Sequence, residues 1–347
     1  MQTDHSKPLS LQEIVHKRPF RSDDLSPEAG ELGVFQDKVR LFVLAAPALL
    51  LALGGCDGAG TGGNTSSAIP GVPTAEGKDP AQAKLDAYTE GYNKLIGTFG
   101  LPETAENYAK EDIPNQSPTD NVSISSGWLE AALTKLKEGR ALPGGPADLD
   151  KAGDGLIAAL DKVVTHVKAL SVYYDSKAYR EDKLARGKQE DAAMRAEFQA
   201  ALAAAESFDT ILKRERDARA AVEIEQLRKD GNILAYSTKL AVQRSESLID
   251  LFAKPEDVKN PQILARGTAL VGEIEKLLTD QRAAYAAAKA AAKTPLEAPS
   301  SSYESAAGDL TDLVGKFRDL KQSGDVENLN DMVEEYNDAI ESLNNIR

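Results

Sequence analysis

Residues 184–230 read LARGKQEDAAMRAEFQAALAAAESFDTILKRERDARAAVEIEQLRKD. Met194, Phe198, Leu202, Ala205, Phe208 and Ile211/Leu212 recur here at three- and four-residue steps, and Val222 and Leu227 extend the series. That period puts apolar side chains on one face of a helix and would scatter them over both faces of a strand. Alanine, the strongest helix former, recurs throughout, and no proline interrupts the run. The spacing predicts one very long helix, with Gly231 permitting a break behind it.

The same period governs the chain on both sides. Leu85, Tyr88, Tyr92, Leu95/Ile96 and Phe99 stripe a first helix from Ala81, ended by Gly100 and Pro102. A long connection carrying Pro102, Pro114 and Pro118 follows. Trp128, Leu129, Ala132, Leu133 and Leu136 predict a second helix, stopped by Gly139 and Pro143. A third starts near Leu149 and carries Leu156, Leu160, Val163/Val164, Val167, Leu170 and Tyr174. Beyond the long helix, a fifth runs from Ile233 to Phe252. A sixth follows Pro261 and ends in the tail AAYAAAKAAAK at 283–293, and two more cover about 302–321 and 326–346, parted by Gly324. No segment alternates with period two long enough to predict a strand. The expected fold class is all-α, an elongated bundle of seven or eight helices over residues 81–347. Residues 85–99 and 329–343 share Leu, Glu, Tyr, Asn and Ile at equal offsets, which predicts that the two terminal helices pack together.

The chain has 347 residues, 41 basic against 55 acidic, with one cysteine, one tryptophan and three histidines. A hydrophobic fraction of 41% suffices for a real core. One cysteine excludes an internal disulfide and cysteine zinc sites. A net charge of −14 argues against a nucleic-acid partner, since that affinity comes from Lys and Arg neutralising phosphates. It equally opposes adsorption to anionic headgroups through a basic face.

Residues 41–53, LFVLAAPALLLAL, form an uncharged apolar run preceded by Lys38 and Arg40. A bilayer-spanning helix needs about 20 such residues, whereas this length suits the apolar core of an export signal. Leu53-Gly54-Gly55-Cys56 follows at once and resembles the bacterial lipobox, in which a small residue precedes a cysteine that is acylated and becomes N-terminal. Residues 1–55 then divide off as leader and signal, with Cys56 the lipid carrier and the membrane a partner through that lipid. Acyl chains stabilise attachment by about 0.8 kcal/mol per buried CH₂. The polar residues 1–36 make an odd leader, and a start near Val34 or Val39 would leave a signal of ordinary length. Asp57 resembles the inner-membrane retention signal of enteric bacteria. Residues 56–80 are rich in Gly, Ser, Thr and Pro without periodicity, the composition of a disordered tether spanning roughly 25–30 Å. Gly58, Gly60 and Gly63 match G-x-G-x-x-G there, but no predicted strand precedes them and Asn64 stands where a P-loop needs Lys.

Candidate chemistry is sparse. His166 is the only histidine beyond the signal, it borders the stripe of Val163, Val167 and Leu170, and no G-x-S-x-G or S-x-x-K occurs. Asp148, Asp150 and Asp154 in DLDKAGDG mimic a calcium loop, but Ala152 and Ala159 occupy the fifth and twelfth positions where ligands are needed. Helix N-capping explains these aspartates better. The alternating run Lys213–Arg219 reads as a solvated, ion-paired face. The best candidate surface for a ligand or partner is Tyr173, Tyr174 and Tyr179 with Asp175, Glu181 and Asp182. Burial of those rings in a corner between helices is the competing structural account.

The order of these features, a lipobox, a short tether, LDAYTEGYNKLI, then YYDSKAYREDKLARGK at 173–188 and a long Ala- and Glu-rich helix, resembles the YiiG-like bacterial lipoproteins, a family of unknown function. The likeness covers residues 81–345 and implies a helical envelope protein, with no catalytic residues to carry over. The expected function is a lipid-anchored extracytoplasmic binding or interaction module for an envelope protein or ligand, with no metal, cofactor or catalytic residue assigned. The rivals are a carboxylate-based hydrolase or lyase and a purely structural spacer.

Overall fold

The computed structural model describes residues 79–346. The apolar run, Cys56, Asp57 and the tether lie outside the described residues. Helix α1 (Pro80–Ile96) is capped by the Asp79 carboxylate, which accepts from the Ala81 amide at 3.1 Å. There follow α2 (Leu101–Lys110), α3 (Gly127–Ala141), α4 (Ala147–Asp175) and α5 (Ala185–Lys229). Beyond these lie α6 (Ile233–Ile249), α7 (Pro261–Ala291), α8 (Ser302–Ser323) and α9 (Glu327–Asn344), and no strand occurs among the described residues. Eight of these are the expected helices. The ninth, α2, lies in the stretch read as a connection, because Pro102 opens this helix rather than barring it: at the first turn proline loses no intrahelical bond.

Two apolar cores form. In the first, α1 packs on α3 and α4 on α5. Gly91 permits the close approach of α1 and α3, since a Cβ there would lie 2.9 Å from the Leu136 amide nitrogen. From α5 this core takes Gly187, Asp191, Met194, Phe198, Ala201, Ala205, Phe208 and Leu212, a regular alternation of four- and three-residue steps. The second core is made by α6–α9, with α6 on α7 and α8 on α9, and Phe252 and Phe317 meet at 6.3 Å within it. The terminal helices do not pack along one another: α1 belongs to the first core and α9 to the second.

At 45 residues α5 is about 67 Å long. Past Leu212 it leaves the first core, and only Ile224 of the remaining turns is buried. Here the run read as a solvated face turns out to be a junction of charges between helices. Lys213 Nζ lies 2.6 Å from Glu246 on α6 and 3.0 Å from Asp250 at its C-cap, and Arg216 reaches Glu246 at 3.2 Å. Arg216 and Glu246 side chains are each only 16% exposed. Lys239 pairs with Glu223, and Arg219 with Asp79 at 2.8 Å. Burial pushes the Asp209 carboxyl up to about 6 against the pull of Arg216 and Lys213, with Asp250 and Glu246 adding to the rise. Asp217 is raised chiefly by burial, and so is Asp250, whose side chain nevertheless keeps 43% exposure.

The aspartates of DLDKAGDG do not cap α4: Pro146 stands at the cap, and the acids serve as separate anchors. Asp150 takes Lys84, itself 2% exposed, at 2.6 Å and the Tyr88 hydroxyl at 3.1 Å. Asp154 takes Arg140 at 2.7 Å and Asp148 takes Arg214. Tyr88 is fixed so tightly that a Cβ at Gly153 would fall 2.6 Å from its hydroxyl oxygen, whereas a Cβ at Gly155, two residues on, meets nothing within 4 Å.

Gly155→Ala is therefore expected to stabilise the protein by about 0.5–1 kcal/mol through helix propensity alone. Gly153→Ala gains the same propensity but overpacks Tyr88, a larger penalty, and should destabilise by about 1–2 kcal/mol net. Urea unfolding of the two variants checks this, and equal signs would refute the packing.

Asp209 gives a pH signature. A carboxyl raised in the fold binds more protons there than in the unfolded chain between about pH 6 and the ordinary aspartate range near 4. Its charge thus costs stability above pH 6, and that cost is relieved as pH falls through the window. Measured against Asp209→Asn, the wild type should gain roughly 1–2 kcal/mol between pH 7.5 and 4.5, allowing for partial solvent screening. A stability difference that stays flat across that range would contradict the assignment.

Candidate functional site

The tyrosines singled out from sequence come together, but as a packed corner. Tyr173, Tyr174 and Tyr179 are 5%, 1% and 0% exposed, and their ring centres lie 5.0–6.3 Å apart. The Tyr173 hydroxyl donates to Asp182 at 2.8 Å, and Tyr179 donates to the Asp120 carbonyl at 3.0 Å. Burial and the Asp182 charge push Tyr173 up to about 12. Burial works against the Asp182 carboxylate, yet the Tyr173 hydroxyl and backbone amides at the start of α5 hold it below the ordinary range. The backbone turns here through left-handed conformations at Lys177, Lys183 and Leu184. Glu181 stays exposed, and its carboxylate makes no ion pair or hydrogen bond among the described residues.

Beside that corner opens a groove of about 850 Å³, formed by α2, the connection to α3, the first turn of α3 and the last turns of α4. Its rim is an aromatic pair that sequence reading placed on helix stripes. Phe99 falls outside α1, which ends at Ile96, because Gly97 and Gly100 bracket it; its φ is +63°. The Glu103 carboxylate accepts the Phe99 amide at 2.7 Å and fixes that turn. The ring stacks on Trp128, 5.8 Å away and 28° from parallel, and the two residues remain 52% and 51% exposed. Lys94 Nζ stands 5.2 Å from the Trp128 ring centre. Both aromatics carry the right residue type for a core and the wrong position. The signal for Phe99 was its place in Gly97-Thr98-Phe99-Gly100, where no helix continues.

The walls are polar. Ser123, Ser125, Ser126, Thr104 and Ser171 bring hydroxyls, Asn107 brings an amide, and Glu111 and Asp175 bring carboxylates. Burial raises the Glu111 carboxyl, and among the described residues neither that carboxyl nor the Asp175 carboxylate makes an ion pair or hydrogen bond. Lys110, by contrast, is taken up by Glu106. Tyr108 lines the groove as a buried residue; its hydroxyl, that of Tyr174 and one Asp191 oxygen lack hydrogen bonds of good geometry among the described residues. Asp175 is the one acid of the sequence-predicted surface that borders this groove.

His166 is a tie between helices. Its Nδ1 lies 2.9 Å from Glu197 and its Nε2 3.0 Å from Glu190, joining α4 to α5. Burial alone would raise Glu190, but Arg186 at 2.8 Å and His166 hold it low. Both ring nitrogens are taken by carboxylates rather than by a nucleophile, and no cluster of three metal-ligating side chains occurs among the described residues. No described helix is long and apolar enough to cross a membrane.

No curated protein and no solved structure matches the chain. A family model described as a protein of unknown function, DUF3829, matches residues 79–345, which takes in every described helix and both cores. That span is well over half of the sequence, and the chain belongs to this family of unknown function.

Proposed function

We propose that this protein is a lipid-anchored, extracytoplasmic binding module of the YiiG-like kind, tethered through acylated Cys56 and engaging its ligand in the groove beside the tyrosine corner. The address half rests on the sequence: an apolar run too short to span, followed directly by the chain's single cysteine. One observation carries the binding half, the half-exposed Phe99–Trp128 shelf over polar walls with two unpaired carboxylates. Large aromatic residues left in water beside a concave polar surface are the usual mark of a recognition site. The acidic body holds itself off anionic headgroups, so lipid rather than charge provides the attachment. Asp57 inclines the location toward the inner membrane.

The anchor is tested by following the full chain and Cys56→Ala through cell fractionation with fatty-acid labelling. The wild type should enter the membrane fraction labelled and begin at residue 56. The variant should lose the label and shift to the soluble fraction. An unmodified full-length polypeptide in the cytosol would overturn this reading.

A further inference from the structure

We propose that the groove takes a short neutral oligosaccharide, its ring faces on the Phe99–Trp128 shelf and its hydroxyls on Asn107, Glu111 and Asp175. This rests on the groove being the binding site proposed above and adds the ligand's chemistry. Three features select that class. The stacked pair is half exposed, and a ring face left uncovered by the stack is a flat apolar surface of the kind that covers the C–H face of a pyranose ring. The walls are neither apolar enough for a lipid nor of a single charge: five serine and threonine hydroxyls, an amide, an ammonium and two carboxylates line the groove. A carboxylate accepts from two adjacent hydroxyls, an amide accepts through its oxygen and donates through its NH2, and the hydroxyls of the walls can accept as well as donate.

Charge narrows the choice further. An anionic ligand would face the Glu111 and Asp175 carboxylates, which have no basic partner among the described residues, while Lys110, the cation of the lining, is already paired with Glu106. A cation seeking the aromatic rings would meet Lys94, which stands 5.2 Å from the Trp128 ring centre. A neutral, hydroxyl-rich molecule meets neither obstacle. The volume, about 850 Å³, is that of a site for a ligand of several rings.

Trp128 is the only tryptophan in the chain, so its emission reports on the groove directly. The full chain in detergent is titrated with triacetylchitotriose and cellotriose, and separately with tri-lysine and trigalacturonate. A neutral trisaccharide should change the Trp128 emission saturably. Half-saturation should weaken about tenfold in Phe99→Ala and in Glu111→Gln, while Glu181→Ala, outside the groove, leaves it unchanged. Circular-dichroism melting establishes that each variant is folded, and Glu111→Gln keeps shape and volume should Phe99→Ala unfold. No saturable change with either neutral trisaccharide, or undiminished binding in both groove variants, overturns the proposal. Saturation by tri-lysine or trigalacturonate alone also overturns it, yet leaves the groove standing as a binding site. Failure of the membrane-anchor reading shows separately, in the fractionation of Cys56→Ala.

Discussion

An unbroken helix that runs out of one core and alongside the helix that opens a second has to solve a problem at the point where it leaves the first. In α5 that point is Leu212, after which apolar burial stops and charge takes over. Lys213 and Arg216, one turn apart, project to the same side and find Glu246 on α6 and, for Lys213, Asp250 at its C-cap. The connection between the halves is therefore chiefly a set of ion pairs, short in reach and demanding in geometry. Such partly buried pairs add little net stability over an apolar contact, but removing one partner strands the other, so they fix where α6 docks along α5. Asp209 and Asp217 crowd the same place with excess negative charge, and burial lifts both carboxyls.

The echo between residues 85–99 and 329–343 acquires a meaning at this junction. Tyr92 and Tyr336 stand at the same offset in the two segments, and both are buried. Burial raises Tyr92, and Asp209 adds to the effect; burial raises Tyr336, with Glu246, Asp250 and Asp217 adding and Arg216 opposing. Each half thus sends one phenol toward the charged seam from its own terminal helix. Leu85, Tyr336 and Ile340 line the same small cavity there, the nearest that α1 and α9 come to the packing their similarity suggested. Shared sequence reflects a shared task facing the seam, with each helix packed in its own core.

Periodicity made the eight long helices legible because the apolar stripe is what each must bury, as Leu85, Leu156, Phe208, Leu278 and Leu320 all do. It failed where a residue's type and its surroundings disagree. Trp128 fits the stripe of α3 by spacing, yet the first turn of a helix projects beyond the partner that would cover it, and the ring is left at the groove. Pro102 reads as a breaker or as a first-turn residue, and only the backbone at Gly100 decides between them. Lys213–Arg219 alternates in sign as a solvated face does; the neighbour that buries part of it, α6, is set by tertiary packing and leaves no mark in the run itself. The tyrosines at 173–179 were visible as unusual, but a sequence cannot tell a ring offered to solvent from one sealed in a corner.

The aromatic shelf stands apart from these packing rules in energetic terms. A left-handed Phe costs about 1–2 kcal/mol relative to ordinary backbone. The Glu103 bond to its amide contributes about 1 kcal/mol and the stack on Trp128 about 0.5–1.5 kcal/mol, so local interactions roughly offset the strain and no more. Burial, which stabilises every other aromatic on the helix stripes, adds only in part here because both rings stay half exposed. A glycine at position 99 would meet the backbone demand without strain, so the turn alone does not call for a ring. What the Phe side chain adds is the stack on Trp128 and a half-exposed apolar surface at the rim of the groove, which the demands of the turn do not explain.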